Sequence, residues 1–148
     1  MSVLTDVSKI ESDLRAARTQ GRTIAFCDGS FEVVHKGHIQ LFEKARSFAD
    51  VVVIAVASDE YIATAKGHIP KYSIEQRLAR VVETGIADFV FPKPMLTQDE
   101  YIKLCKTIQP NYFVTGEDET LEDRKREAEI VGCEVVTIKN IDSSQNYL

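Results

Sequence analysis

Two histidines and two glycines mark the stretch of this sequence in which chemistry is to be sought. Gly29 follows a short apolar run, and His35, Gly37 and His38 stand where a helical pattern begins. A helix N-terminus presents unpaired backbone N–H groups and the positive end of its dipole, and glycine lets a ligand approach the backbone closely. Because His35 and His38 are three residues apart at that terminus, both imidazoles can converge on one anion. The stretch therefore predicts a phosphate-binding site.

Nucleotidyl transfer is a reaction that such a site could serve. A phosphate oxygen attacks the α-phosphorus of a nucleoside triphosphate and pyrophosphate leaves, so that two anions are forced together. The protein contributes mainly positioning and charge stabilisation, for which imidazole N–H groups, lysine, arginine and a divalent metal are suited. Two other interpretations of the histidines stay open, a structural helix cap and a metal pair. Zinc is disfavoured because Cys27 is the only nearby thiol and its spacing is unlike that of a zinc finger.

Short apolar runs alternate with helical patterns along the whole sequence, and together they must position the histidines. The run VVVIAVA is β-branched and continuous, which is typical of a strand covered on both faces. Capping-box spacing predicts the starts of two later helices, after Ser73 and after Thr97. The alternation predicts an α/β fold, a doubly wound Rossmann-like parallel sheet of about five strands. The five predicted strands are Thr23–Cys27, Val51–Ala57, Phe89–Phe91, Tyr112–Thr115 and Glu134–Ile138.

The composition is that of an ordinary globular protein. The chain has 148 residues, 18 Lys+Arg and 23 Asp+Glu, giving a net charge of −5. We expect one domain over residues 1–148 and no nucleic-acid partner, because a net acidic chain suits phosphate backbones poorly. The longest apolar run is far shorter than the roughly 20 residues of a membrane span. Together with three widely spaced cysteines, which we expect to be reduced thiols, this predicts a cytoplasmic protein without a membrane partner.

The motif G-x-F-x-x-x-H-x-G-H, spanning Gly29 to His38, resembles the signature of the HxGH nucleotidyltransferases, the cytidylyltransferase-like superfamily. Further matches follow in order. Lys66-Gly67 is similar to the family's K-G loop, the stretch ending at Arg77 to its E-x-R helix start, and Gly116-Glu117-Asp118 to its G-x-D loop. The segment containing Ser143 and Ser144 is similar to its terminal I-S-T-T element. The chain looks most like the ADP-heptose synthase adenylyltransferase domain and glycerol-3-phosphate cytidylyltransferase, and it is also similar to FAD synthases.

The resemblance implies a role for each matching position. Two imidazoles would hold the triphosphate, one lysine would neutralise phosphate charge and one arginine would grip the triphosphate; these are His35, His38, Lys66 and Arg77. Mg²⁺ would bridge phosphate oxygens as the cofactor, with no protein ligand assigned to it. The remaining positions would bind the nucleotide through backbone or side-chain groups, and these are Gly29, Ser30, Phe31, Gly37, Gly116, Asp118, Ser143 and Ser144.

Several alternatives stay open beside these assignments. Lys71 and Lys36 compete with Lys66, and Asp118 could belong to a solvated acidic loop. The family usually has aspartate where this chain has Glu32, and no arginine precedes Ser143. We therefore expect a nucleotidyltransferase that moves CMP or AMP from CTP or ATP to a small sugar or polyol phosphate. The alternatives are adenylyl transfer to FMN, a catalytically weak nucleotide-binding regulator, and a structural subunit that pairs with an active homologue. A homodimer is possible.

Overall fold

Six parallel strands form the sheet that carries the candidate site. The computed structural model describes residues 3–4, 7–118 and 120–139. Neighbouring strands are parallel throughout, in the order β1-β4-β3-β2-β5-β6. The strands are β1 (Val3–Leu4), β2 (Ile24–Gly29), β3 (Val51–Ala57), β4 (Phe89–Lys93), β5 (Tyr112–Gly116) and β6 (Glu134–Ile138).

Helices cover both faces of the sheet and bury two apolar layers. On one face Leu41, Phe42 and Leu78 pack against alternate side chains of the central strands. The opposite face is covered by three helices, whose buried side chains include Leu14 and Leu104. The helices are α1 (Val7–Thr19), α2 (Lys36–Phe48), α3 (Asp59–Tyr61), α4 (Ile74–Glu83), α5 (Gln98–Ile108) and α6 (Leu121–Val131), with a π-helical segment (Ile62–Lys66) directly after α3. α2 and α4 form the first layer, and α1, α5 and α6 form the second.

The predicted fold class is confirmed, with two differences at the edge of the sheet. β1 escapes prediction because a two-residue strand is too short to show a hydropathy pattern. β4 runs two residues beyond its predicted end, through Pro92 to Lys93. Among the described residues, β1 pairs with Phe89 and Val90 and not with Pro92, so no described strand requires a backbone N–H from this proline.

The predicted capping boxes are present at both helices. Ser73 Oγ accepts from the backbone N–H of Gln76, whose side chain accepts from the Ser73 N–H. Thr97 and Glu100 exchange the same pair of bonds at α5. These reciprocal bonds satisfy N–H groups that a helix start otherwise leaves unpaired.

The strand order places a crevice at the carboxyl end of β2. The chain winds from β2 to β3 and β4 on one side, and β5 and β6 continue from β2 on the other. The loops that follow β2 and β5 therefore diverge, which is where open α/β sheets bind ligands. The three cysteines are free thiols, and burial, together with the charge of Asp28, raises the pKa of Cys27 to about 12. Among the described residues, every helix is too short or too polar to cross a bilayer.

Candidate functional site

A cleft of about 680 Å³ opens at the switch point of the sheet. Its walls come from the loops that follow β2, β3 and β5, as the strand order requires. Many residues predicted for the site meet there, although they come from distant parts of the chain. These are Gly29, Ser30, Phe31, His35, His38, Lys66, Gly116 and Asp118.

His35 and His38 form a stacked pair at the start of α2. Their ring centroids are 3.8 Å apart and the ring planes differ by 20°. His35 is the N-cap residue, and its Nδ1 accepts from the backbone N–H of Gly37 at 3.1 Å. The Nδ1 of His38 accepts from the backbone N–H of His35 at 3.4 Å. Because each Nδ1 is an acceptor, the neutral form of each ring carries its proton on Nε2, and the ring of His38 also hydrogen-bonds to the Val33 backbone.

The surroundings of His38 favour its neutral form. Burial lowers the pKa of His38 to about 4, and the charges of His35 and Lys66 also lower it. A hydrogen bond to the Val33 backbone raises this pKa but does not outweigh them. Two stacked imidazolium ions would repel each other, so the charge of His35 further disfavours the protonated form of His38. His38 is therefore a neutral ring at neutral pH.

The depressed pKa of His38 predicts acid-sensitive folding. The unfolded chain takes up a proton near the ordinary pKa of 6.5, whereas folded His38 does so only near 4. As the pH falls from 6.5 to 4, the unfolded state binds more protons, so this histidine should lower the free energy of unfolding by up to about 3 kcal/mol. Denaturant unfolding at pH 7 and pH 4.5 measures the loss. His38→Gln is the control, and an equal loss in both proteins would contradict the prediction.

The turn after β2 packs against the histidine pair through Phe31. Phe31 is buried, and its ring packs edge-on against His38 at 5.0 Å and against Phe42 at 5.3 Å. Its backbone has a φ of +46°, an uncommon conformation for a residue with a side chain and one that recurs at functional sites. A Cβ at Gly29 would lie 3.0 Å from the Phe31 ring. A side chain at position 29 would therefore displace the Phe31 ring, which packs against His38, by a few tenths of an ångström.

Glu32 connects two loops of the cleft, the one that carries His35 and His38 and the one that follows β3 and α3. Its carboxylate binds Lys66 Nζ at 3.3 Å and His68 Nε2 at 2.7 Å. Partial burial raises the pKa of Glu32, but the hydrogen bonds from His68 and Lys66 outweigh it, so the pKa lies below its ordinary value. The residue that departs from the family pattern thus holds Lys66 at the cleft. Of its competitors, Lys71 lies 5.4 Å from the Tyr72 ring centroid and Lys36 is exposed on α2; neither lines the cleft.

Arg77 requires a correction to its predicted role. The sequence predicts direct contact with a triphosphate, yet the side chain is only 1% exposed and does not line the cleft. Its guanidinium donates to the carbonyl oxygens of Ser30 and Ala57 at 2.7 Å each, to the Tyr72 carbonyl at 3.0 Å and to Asp59 Oδ1 at 2.6 Å. Four of its five N–H groups are used in this way. Arg77 is therefore placed to position the loops around the cleft.

The remaining predicted residues differ in how they are placed. Gly116 ends β5, and Asp118 Oδ1 accepts from the backbone N–H of Thr120 at 2.8 Å and from its hydroxyl at 2.6 Å. Asp118 thus shapes the turn before α6 while lining the cleft. Gly37 is buried in the first turn of α2, and its amide already serves His35. Ser143 and Ser144 lie outside the described residues.

Three residues of the cleft wall were missed from the sequence. Asp28 Oδ2 lies 2.9 Å from Lys93 Nζ and 3.5 Å from Arg124 Nη2, and all three side chains line the cleft. The many charges of α6 suggest a solvated helix, yet Arg124 shares a helix face with Leu121 and the buried Ala128. That helical spacing, and the alternation that puts Lys93 on the face of Phe91, are signals that could have revealed them.

The carboxylates that line the cleft are distributed rather than grouped. Among the residues with described positions, no cluster of three or more His, Cys, Asp or Glu side chains could hold a metal ion. Asp28 and Glu32 are both paired with cationic side chains. Mg²⁺ is commonly held by one or two carboxylates together with substrate phosphates. The arrangement fits a metal that is bound mainly by the substrate's own oxygens.

Comparison with known proteins places the chain among proteins of similar fold. It is 32% identical over 124 residues to the bifunctional protein HldE of Geobacter sulfurreducens, which covers 83% of this chain and 24% of that protein. For the HldE of Geotalea uraniireducens the identity is 29% over 134 residues, covering 90% of this chain and 26% of that protein. The chain thus spans about a quarter of the length of these curated relatives.

Solved structures share the architecture at lower identity. Pantoate–β-alanine ligase of Francisella tularensis superposes with a TM-score of 0.72 at 15% identity, over 100% of this chain and 71% of that one. The lipopolysaccharide core biosynthesis protein of Thermoplasma volcanium gives 0.63 at 21% identity, over 86% of this chain and 100% of that one. These likenesses confirm the fold.

A family model described as cytidylyltransferase-like matches residues 26–144, which run from within β2 through β6 and include every residue that lines the cleft. The predicted family and its class of enzyme, a nucleotidyltransferase, are thereby confirmed: the chain belongs to the cytidylyltransferase-like family.

Proposed function

We propose that this chain transfers CMP or AMP from CTP or ATP to a small phosphorylated acceptor, a sugar or polyol phosphate, and releases pyrophosphate. The observation that carries the proposal is the stacked His35–His38 pair, with a neutral His38, at the N-terminus of α2 inside the cleft at the switch point of the sheet. Donors fixed in this way need little reorganisation when charge develops in the transition state.

The reaction assigns distinct work to the two sides of the cleft. An oxygen of the acceptor phosphate attacks the α-phosphorus, the bond from that phosphorus to the bridging oxygen breaks, and pyrophosphate leaves. The Nε2–H groups of His35 and His38 donate to the phosphate oxygens, assisted by the N-terminal end of α2 and by backbone amides at Ser30 and Phe31. Mg²⁺, when bound with the triphosphate, would neutralise phosphate charge.

The nucleoside is assigned to the β5 side of the cleft. Gly116 leaves room for the base or the ribose at the end of β5, and Asp118 borders the same wall. Gly37, in the first turn of α2, would let the phosphates approach the backbone closely. Ser143 and Ser144 stay in the proposal as ligands of the β- and γ-phosphates on the strength of the family resemblance alone.

Lys66 is proposed to neutralise phosphate charge, in competition with Glu32. Glu32→Gln removes the anion that faces the substrate phosphates and releases the Lys66 ammonium. We expect the Kd for ATP or CTP to fall by about 3- to 10-fold, because one partly exposed charge interaction is involved. Titration calorimetry measures this, with Glu75→Gln on the exposed start of α4 as the control of equal charge change. Unchanged or weaker binding would mean that Glu32 instead keeps Lys66 in its productive position.

A pyrophosphate-release screen tests the proposed function. CTP and ATP are each combined with glycerol 3-phosphate, heptose 1-phosphate, phosphocholine, phosphoethanolamine and FMN. Release with a sugar or polyol phosphate supports the proposal, and release with FMN alone supports the FAD-synthase-like alternative. Triphosphate binding without release in any combination would favour a regulator that binds nucleotides. The resemblance to the ADP-heptose synthase domain makes heptose 1-phosphate the first acceptor to try.

A further inference from the structure

Two cationic side chains line the cleft without a task in the proposed reaction. They are Lys93 at the end of β4 and Arg124 on α6. Lys93 lies two residues after the buried Phe91, on the sheet face that α1, α5 and α6 cover, and Arg124 belongs to one of those helices. His35 and His38 belong to the start of α2, which covers the opposite face. The cleft therefore has the histidine pair on one wall and two cations on the other.

The proposed reaction needs more positive charge than the rest of the cleft supplies. A nucleoside triphosphate and an acceptor phosphate together carry several negative charges. Arg77, the cation expected to bind the triphosphate, is buried and does not line the cleft, and Lys66 is shared with Glu32. Among the described residues, the Lys and Arg side chains that line the cleft are Lys66, Lys93 and Arg124.

Buried carboxylates hold the two cations in place from behind. Asp28 Oδ2 lies 2.9 Å from Lys93 Nζ and 3.5 Å from Arg124 Nη2, and Glu127 Oε1 lies 2.6 Å from Arg124 Nη1. The Tyr101 ring centroid lies 5.0 Å from the Lys93 ammonium and 5.2 Å from the Arg124 guanidinium. The carboxylate side chains are 3% and 5% exposed, whereas Lys93 is 12% and Arg124 21% exposed. A group that enters from the cleft therefore meets the cations first.

Both cations keep hydrogen-bond donors for such a group. An ammonium has three N–H donors and a guanidinium has five. Among the described contacts, Lys93 donates one hydrogen bond, to Asp28, and Arg124 directs Nη1 to Glu127 and Nη2 to Asp28. The four side chains carry no net charge together, but an anion in the cleft is nearer to the cations, and the interaction of charges weakens with distance. Phosphate oxygens suit both the compact ammonium and the planar fork of arginine.

We propose that Lys93 and Arg124 bind the phosphate of the acceptor. In phosphoryl transfer the attacking and leaving oxygens lie roughly in line, on opposite sides of the phosphorus. The proposed function places the triphosphate at the N-terminus of α2, so the acceptor phosphate approaches from the wall across the cleft, where the two cations lie. The inference rests on the proposed function for the identity of this phosphate as that of an acceptor.

Lys93→Met tests the proposal, because methionine keeps much of the stem and removes the charge. Glycerol 3-phosphate, mannose 1-phosphate and inorganic phosphate are the probes, each titrated by calorimetry into protein saturated with a non-hydrolysable ATP or CTP analogue. We expect Lys93→Met to raise the Kd of the probes that bind the wild type by about 10- to 100-fold, since a hydrogen bond between charged groups is lost. Arg124→Lys keeps the charge without the fork and should raise it by about 3- to 10-fold. The Kd of the triphosphate analogue itself should change by less than about 3-fold.

Two controls separate this loss from general effects. Lys103→Met makes the same change of charge on the exposed side of α5, outside the cleft, and should leave every Kd unchanged. If Lys93→Met fails to fold in thermal unfolding, the same substitution is made in an Asp28→Asn chain, where no buried carboxylate loses its partner. The double variant should bind the phosphate probes about 10-fold more weakly than Asp28→Asn alone.

The acceptor site and the proposed function can fail separately. No binding of the phosphate probes to the wild type, or an unchanged Kd in both Lys93→Met and Arg124→Lys, would overturn the site. A loss confined to the triphosphate analogue would also overturn it, because the cations would then serve the triphosphate. A wild-type chain that binds no triphosphate analogue would contradict the proposed function instead. The probes are then titrated alone, and weaker binding in Lys93→Met still supports a phosphate site at this wall.

Discussion

His38→Ala is expected to lower kcat for pyrophosphate release by about 10²- to 10³-fold. The neutral His38 ring carries its proton on Nε2 beside the position assigned to the transferred phosphoryl group, and removing one such donor leaves developing charge without a partner. Steady-state kinetics at saturating substrate measures the loss. We expect His35→Ala also to raise the KM for the triphosphate, because His35 would already bind the triphosphate in the ground state, at the same N-terminus of α2.

The control for this variant is another histidine of the same cleft region. His68 binds Glu32 on the neighbouring loop, and His68→Ala should cost less than about 10-fold in kcat, since it acts only through that loop. Thermal unfolding confirms that both variants are folded. Full turnover in His38→Ala would remove His38 from the mechanism.

Arg77→Met is expected to lower the free energy of unfolding by about 3–5 kcal/mol. The buried guanidinium is the donor for the carbonyls of Ser30, Ala57 and Tyr72, and methionine leaves all three without that bond. Asp59 loses its partner as well, although it is partly exposed and can turn to water. Denaturant unfolding with an unchanged m-value measures the effect.

Arg77→Lys separates a positioning role from direct contact with the triphosphate. An ammonium has three donors on a flexible stem and cannot serve four acceptors in the fork geometry of arginine, so lysine should restore only part of the stability. If Arg77 positions the loops, the loss of stability and the loss of kcat appear together. Weaker triphosphate binding in a variant as stable as the wild type would instead support direct contact.

The central elements could be predicted because their signals are local. A continuous β-branched run, as in Val51–Ala57, and a capping box, as at Ser73, depend only on neighbouring residues. The strand Val3–Leu4 carries no such signal, because it exists only through pairing with β4.

The site could be predicted as far as its motif extends. The spacing of His35 and His38 places both rings at one helix end, but their stacking and reciprocal capping depend on the backbone of the loop. The burial of Arg77 depends on carbonyls from three separate segments, and a sequence gives no sign of such convergence. For the same reason Asp28 reads as a turn residue, although it lies at the centre of a charged cluster.

The most direct test of the account is a crystal structure of the chain with a non-hydrolysable analogue of ATP or CTP. We predict that phosphate oxygens lie within hydrogen-bond distance of the His35 and His38 rings, at the first turn of α2. Two observations together would contradict the account. The phosphates would lie at the opposite edge of the sheet, for example between Arg18 and Lys106, and protein side chains would fill the space at the N-terminus of α2.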